Sequence, residues 1–211
     1  MSLAPGRVGR IVVPMTFAQL AVDIRRRPRR PGQRTLIVAV DGMSGAGKSG
    51  FAARLATELG AQLVCSDDLV PGWDGLEASI GLIVEWVLRP AASGQPVRWR
   101  RYDWVSDRPG EWTDTPVGDA LVIEGCGVGA PATSEYLSYL IWVDTPEAQR
   151  RAQLQARDDW PGYQPFLERW TAQERALQAR SQAPRRADLI VDNSSWRPGA
   201  DWGDQFCPSR L

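Results

Sequence analysis

Eight consecutive residues, Gly42-Met43-Ser44-Gly45-Ala46-Gly47-Lys48-Ser49, satisfy the spacing G-x-x-x-x-G-K-[ST] at every fixed position. Each residue type there has a chemical reason. Glycines let the backbone turn tightly and aim its N–H groups at phosphate oxygens. A helix that starts at the end of the motif adds its positive N-terminus. Lys48 can neutralise the β and γ phosphates of a nucleotide, and the Ser49 hydroxyl can ligate Mg2+. The expected nucleotide-binding positions are therefore Gly42, Ser44, Gly45, Ala46, Gly47, Lys48, Ser49 and Gly50, with ATP and Mg2+ as cofactors. Gly50 departs from the pattern, because glycine is a poor residue for a first helical turn.

Lys48 is the sole lysine among 25 basic residues, which suggests a position where arginine will not serve. The compact ammonium and the broad guanidinium fork are not interchangeable. There is no histidine, which removes the Ser-His-Asp triad, the Cys-His pair and every His-ligated metal. A general base must then be a carboxylate, with Tyr or Cys behind it.

Acidic residues follow three short apolar runs. Asp67 and Asp68 follow the run at 62–65. Asp67 can accept the proton of a hydroxyl that attacks a γ-phosphate, or hold Mg2+. It can equally be a turn or capping residue, and the residues alone leave both open. Glu124 ends the run at 120–123, where a carboxylate near Mg2+ or its waters belongs. Ser49, Asp67 and Glu124 are thus the metal candidates. Asp144 ends the run at 140–143 and, ahead of Thr145-Pro146, reads as a helix N-cap.

Elements must bring these residues together. Apolar runs at 35–40, 120–123 and 140–143 read as strands buried on both faces, and those at 62–65 and 189–191 as further short strands. Helical spacing of apolar residues covers 51–59, with Gly60 as its stop, and 76–87, with a stop before Pro90. Further helices are expected at 146–157, with proline in the first turn, and at 166–180. Val97, Trp99 and Arg101 suggest a short extended piece. The pattern predicts an α/β fold: a parallel sheet of about five strands with helices on both faces, in three layers. Ligands in such sheets sit beyond the carboxyl ends of the strands.

The domain expected at 34–193 is flanked by two peripheral pieces. Residues 1–33 comprise a short amphipathic helix at 16–26 and a basic linker, whose Arg-rich stretch spans 25–30. Residues 194–211, rich in Gly, Pro, Asp and Trp, read as an irregular tail. The 25 basic and 25 acidic residues cancel, so overall charge points to neither nucleic acid nor membrane. No stretch resembles a signal peptide or a membrane span. Cys65, Cys126 and Cys207 give neither a disulfide framework nor a zinc pattern. A cytoplasmic protein with free thiols is the simplest reading.

With these pieces in order, residues 36–192 resemble the uridine kinase family of P-loop nucleoside kinases. Ser66-Asp67-Asp68-Leu69-Val70 is similar to the family's Asp-Asp-Phe-Tyr-like segment, whose first aspartate is the catalytic base. The resemblance implies Asp67 as base, with Lys48 as the other catalytic residue. Trp73-Asp74 resembles an aromatic-Asp pair that holds ribose hydroxyls. The segment from Tyr102 to Arg108 is similar to the family's Tyr-Asp-Phe-x-x-His-x-Arg in the nucleoside pocket. Asp74, Tyr102, Asp107 and Arg108 are the implied acceptor-binding residues. Ile123-Glu124-Gly125 looks like the Glu-Gly motif near the metal. Trp142-Val143-Asp144 followed by Arg150, Arg151 and Arg157 resembles the strand and arginine-bearing helix of a small lid, with Arg157 expected on the nucleotide. Ala187-Asp188-Leu189-Ile190-Val191 is similar to the closing strand.

The resemblance implies a P-loop NTPase fold and a kinase that phosphorylates a hydroxyl of a small, nucleoside-like acceptor. It also departs from the family at defined places. Asp107 stands where the family has a base-reading histidine, and Arg108 comes one place early. Leu69-Val70 replaces an aromatic pair, and Trp160-Pro161-Gly162-Tyr163 lacks the basic lid sequence. A non-nucleoside alcohol (pantothenate-like, sugar or antibiotic) and a nucleotide-binding regulatory module without transfer stay open. Trp73, Trp99, Tyr102, Trp104 and Trp112 are expected around the acceptor pocket.

Overall fold

A computed structural model describes residues 13–195 and 202–210; part of the peripheral N-terminal piece (1–12) and part of the tail (196–201 and 211) lie outside the described residues. In chain order the elements begin with β1 (Met15–Thr16), α1 (Phe17–Arg26), β2 (Leu36–Asp41), α2 (Lys48–Leu59) and β3 (Gln62–Cys65). A 3-10 turn (Ser66–Leu69) leads to α3 (Leu76–Leu82), a π-helical stretch (Ile83–Leu88) and α4 (Arg89–Ala92). There follow β4 (Val97–Asp103), β5 (Arg108–Thr115), β6 (Ala120–Glu124), β7 (Tyr139–Asp144) and α5 (Glu147–Gln155). The last elements are α6 (Trp160–Tyr163), α7 (Leu167–Ser181), α8 (Ala183–Arg186), β8 (Leu189–Asp192) and β9 (Gln205–Arg210).

The main sheet has seven strands in the order β1-β9-β8-β7-β2-β6-β3, rather than about five. The five expected strands are its parallel part, β8-β7-β2-β6-β3. The two additional strands, β9 and β1, are antiparallel at one edge. β9 lies within the stretch read as an irregular tail. Its residues show no two-residue apolar period, because the strand is held by main-chain pairing to β8 and β1 more than by side-chain burial.

Strand alternation divides the core. Val38 and Val40 of β2 face one side with Phe51, Leu55, Leu20, Ile24 and Phe206, all buried. Ile37 and Ala39 face the other with Ile83, Val87, Leu121, Ile123 and Trp142. Both faces of β2 are covered, so its run is apolar throughout. A third cluster of Val70, Leu76, Ile80, Trp170 and Leu177 lies under α7.

Two helix boundaries differ from the reading of the sequence. The helix from Leu76 does not stop before Pro90 but continues through the π-helical stretch into α4. The Arg89 N–H reaches back five residues to the Val84 carbonyl. This wider turn accommodates a proline that lacks an N–H and crowds the preceding turn. Asp144 does not cap α5; Pro146 holds the N-cap position without a side-chain hydrogen bond. The extended piece at 97–101 is half of a separate antiparallel hairpin, β4-β5.

Candidate active site

The motif at 42–49 joins β2 to α2 at the carboxyl edge of the sheet, with Lys48 and Ser49 already in the first turn of the helix. Gly45 and Gly47 adopt left-handed φ values of +75° and +89°. A Cβ on Gly45 would lie 2.4 Å from the Arg150 carbonyl oxygen, and one on Gly47 2.8 Å from Asn193 Nδ2. Both conformation and close approach therefore require glycine.

The scaffold grips the outer side of this loop through its carbonyls. Thr145 Oγ1 and Asn193 Nδ2 each donate to the Ala46 oxygen at 2.9 Å. Trp202 Nε1 donates to the Gly47 oxygen at 3.0 Å, and Arg150 Nη1 to the Ser44 oxygen at 3.1 Å. In a trans peptide the following N–H points opposite to the carbonyl. Pinning these three carbonyls outward therefore turns the amides of Gly45, Gly47 and Lys48 inward. Gly47, the N-cap of α2, offers no side-chain cap to the first turn.

Asp41, at the end of β2, anchors the start of the loop. Its buried carboxylate accepts from the amides of Gly42 (2.7 Å), Gly129 (2.8 Å) and Gly127 (3.1 Å). Burial pushes its carboxyl up from the usual range, and these amides pull the other way. The only signal for it in the sequence is an acid closing an apolar strand directly before the motif.

Lys48, Ser49, Glu124 and Asp67 lie together at this edge. Lys48 is buried and donates to the Met43 oxygen (3.2 Å) and to Cys126 Sγ (3.4 Å). Burial alone would lower its pKa, but Cys126, Glu124, Asp67 and Glu174 around it outweigh this and hold the ammonium protonated. Ser49 Oγ donates to Glu124 Oε1 at 3.0 Å. Asp67 Oδ1 is inaccessible to solvent and has no hydrogen-bond partner. Burial pushes the Asp67 carboxyl up to about 6, with Lys48 opposing and Glu124 and Glu174 adding to the rise.

The donor set of hydroxyl and carboxylate oxygens suits a hard cation such as Mg2+, which keeps several waters and takes few protein ligands. Among the described residues no group of three or more His, Cys, Asp or Glu side chains could hold a metal by itself. A Mg2+ here would therefore rest on Ser49, Glu124 and nucleotide oxygens.

The acceptor side is built differently from the expectation. Tyr102 and Asp107 do meet: the phenol donates to Asp107 Oδ1 at 2.7 Å. Asp107 occupies a left-handed φ of 50° at the hairpin tip. Asp103 forms that turn by accepting from the amides of Val105 and Ser106. Arg108 pairs in register with Asp103 at the root of the turn. Asp74 is bridged to Arg169 of α7. Arg157 sits beyond the end of α5, bonds Asp159 through Nε at 2.8 Å, and lies within electrostatic reach of Asp67.

Of the five expected aromatics, Trp73, Tyr102 and Trp104 converge here. Trp99 instead fills the core, and Trp112 packs on Trp86 outside. In their place α6, the 3-10 turn after it (Gln164–Phe166) and α7 contribute Tyr163, Phe166 and Trp170. The Phe166 ring stacks on Trp73 with centroids 4.3 Å apart and planes 7° apart. Trp170 and Glu174 carry no signal of a site in the sequence, since α7 carries charges that read as a solvated face, and Cys126 is one of three cysteines without a pattern.

Together these elements define an α/β fold with a largely parallel sheet between helices. Two solved structures share it. A possible uridine kinase from Bacillus stearothermophilus is 16% identical, with a TM-score of 0.57 over 82% of this chain and 96% of that one. A putative fructose transport system kinase from Silicibacter sp. TM1040 is 22% identical, with a TM-score of 0.54 over 90% and 100%. The resemblance to uridine kinases thus holds at the level of fold. No family model and no curated protein sequence matches the chain. No helix among the described residues is long and apolar enough to cross a membrane.

Proposed function

We propose that this chain is a kinase that transfers the γ-phosphoryl group of ATP, with Mg2+, to a hydroxyl of a small nucleoside-like molecule. The observation that carries this reading is the pairing of loop 42–49 with Asp67. The loop turns its amides inward beside the protonated Lys48. Asp67 offers a buried carboxylate oxygen without a partner at the same edge. ATP would supply the phosphoryl group, and Mg2+ beside Ser49 and Glu124 would offset its charge.

The residues of the chain divide the remaining work. Lys48 neutralises phosphate charge, and the amides of Gly45, Gly47 and Lys48 orient the phosphates. Asp67 Oδ1 takes the proton of the attacking hydroxyl. Its raised pKa places this base nearer to neutral pH, where general-base catalysis is efficient. The aromatic wall of Trp73, Trp104 and Trp170 keeps water away from the transfer. Arg157 adds positive charge on the lid side, and Tyr102, Asp107, Arg108 and Asp74 contact the acceptor.

A second reading keeps the kinase and replaces the nucleoside by a polyol or another alcohol. The Tyr102–Asp107 pair favours it, because a carboxylate accepts hydrogen bonds from hydroxyls where a histidine would read a base edge. The likeness in fold to a putative fructose transport system kinase supports it as well. ADP release, measured over nucleosides, sugars, pantothenate-like alcohols and aminoglycosides, decides between them. Turnover confined to one class names the acceptor. Nucleotide binding without turnover on any acceptor would instead make the chain a regulatory module.

A further inference from the structure

One helix packed over the site, α7, reaches into the phosphate loop with an anion of its own. Glu174 of α7 is only 4% exposed. Its Oε1 accepts the backbone N–H of Ser44 at 2.6 Å and the thiol of Cys126 at 2.9 Å. Burial keeps that thiol protonated, so it serves as the donor. The Lys48 ammonium lies against the same sulfur. One helical turn earlier, Trp170 Nε1 donates to Ser44 Oγ at 3.0 Å. Two side chains of α7, four residues apart and therefore on one face, hold a single loop residue by its amide and its hydroxyl.

A carboxylate oxygen that accepts a motif amide beside the motif lysine offers the chemistry of a phosphate oxygen. Elsewhere α7 is tied by Gln173 Nε2, which donates to the Trp73 oxygen at 2.7 Å, and by pairs at the surface. Arg169–Asp74, Arg175–Glu147 and Arg180–Glu77 are exposed ion pairs, which water and salt screen. The buried contact to Ser44 is the polar tie that fastens α7 to the loop.

We propose that Glu174 is an internal surrogate for phosphate, which holds the Ser44 amide until a nucleotide phosphate oxygen displaces it, so that nucleotide binding and release of α7 are one event. The proposal rests on the reading of loop 42–49 as a phosphate cradle. Because the latched form competes with the nucleotide, apparent affinity is reduced by the fraction of molecules that are latched.

The test measures binding of ADP-Mg2+ and of a non-hydrolysable ATP analogue by calorimetry to wild type, Glu174→Gln, Trp170→Phe and Lys48→Met. Hydrogen exchange of residues 167–181 is followed in parallel. Glutamine keeps the shape and one acceptor but loses the charge that strengthens the bond. Analogue binding should tighten about fivefold to tenfold, the gap between a charged and a neutral hydrogen bond. Trp170→Phe should shift binding the same way by less. In wild type, the analogue should accelerate exchange in α7. Unchanged or weaker binding by Glu174→Gln, with Lys48→Met abolishing binding, overturns the latch and leaves the cradle intact. Wild type and Glu174→Gln both failing to bind overturns the cradle and the latch together. Should Glu174→Gln fail to fold, wild-type exchange that stays constant or slows on adding the analogue also overturns the latch.

Discussion

The Ser49 hydroxyl donates to Glu124 Oε1 at 3.0 Å, and this contact joins the first turn of α2 to the end of β6. Two residues 75 positions apart thus form one oxygen-rich corner beside Lys48. Replacing Ser49 by Ala or Glu124 by Gln should leave the fold intact. Either change should raise the Mg2+ concentration that half-activates turnover by about 10–100-fold, the range for disturbed metal partners. A Mg2+ titration of ADP release checks this, and unaltered Mg2+ dependence in both variants would remove the corner from the metal site.

Asp67→Asn should lower turnover by about 10²–10⁴-fold, the usual contribution of a general base, while nucleotide affinity stays within a few-fold. Wild-type activity should fall as pH drops through about 6, where the base becomes protonated. Stability moves the other way. The folded pKa exceeds the unfolded one, so burial of the ionised group carries no penalty below about 4 and its full penalty above about 6. Asp67→Asn should therefore raise the melting temperature at pH 8 and lose that advantage by pH 4. Thermal melts at both pH values measure it.

Lys48→Arg should reduce turnover about a hundredfold or more, comparable to removing a preorganised charge donor. The ammonium is buried between the Met43 oxygen and Cys126 Sγ, and a guanidinium is too broad for that place. Steady-state kinetics with a verified acceptor provide the measurement; wild-type rates in Lys48→Arg would refute the steric argument.

Gly50→Ala offers a test of packing. In an isolated helix the change should stabilise by about 1 kcal/mol. Here the new Cβ would lie 2.9 Å from Trp202 Cδ1, on an indole already held by the Gly47 oxygen. Gly50→Ala should destabilise the wild type and stabilise a Trp202→Ala background. Denaturant melts of the four proteins in the cycle would expose an additive result, which contradicts the contact.

Phe51 is fully buried and touches Phe17, Trp202 and Phe206. It ties the N-terminal helix and the C-terminal strand to α2. Phe51→Ala should cost about 3–5 kcal/mol and loosen both ends together, visible as faster hydrogen exchange in α1 and β9.

Local order made part of this molecule readable in one dimension. The motif at 42–49 is contiguous, its chemistry depends on residue type and spacing, and the central strands β2, β6 and β7 are apolar runs because both of their faces are covered. Asp67 and Glu124 followed from their position at strand ends, since carboxyl ends of parallel strands share one edge. The remaining features depend on contacts between distant residues. Nothing near Gly50 announces the indole of Trp202 that requires it, and nothing on α7 distinguishes Glu174 from its solvated neighbours until the helix is laid against Ser44. β9 lacks a two-residue apolar period and exists through pairing with β8. Residue type and spacing are written along the chain. Close approach, burial of a charge and edge pairing are relations between segments, and the folded chain alone decides them.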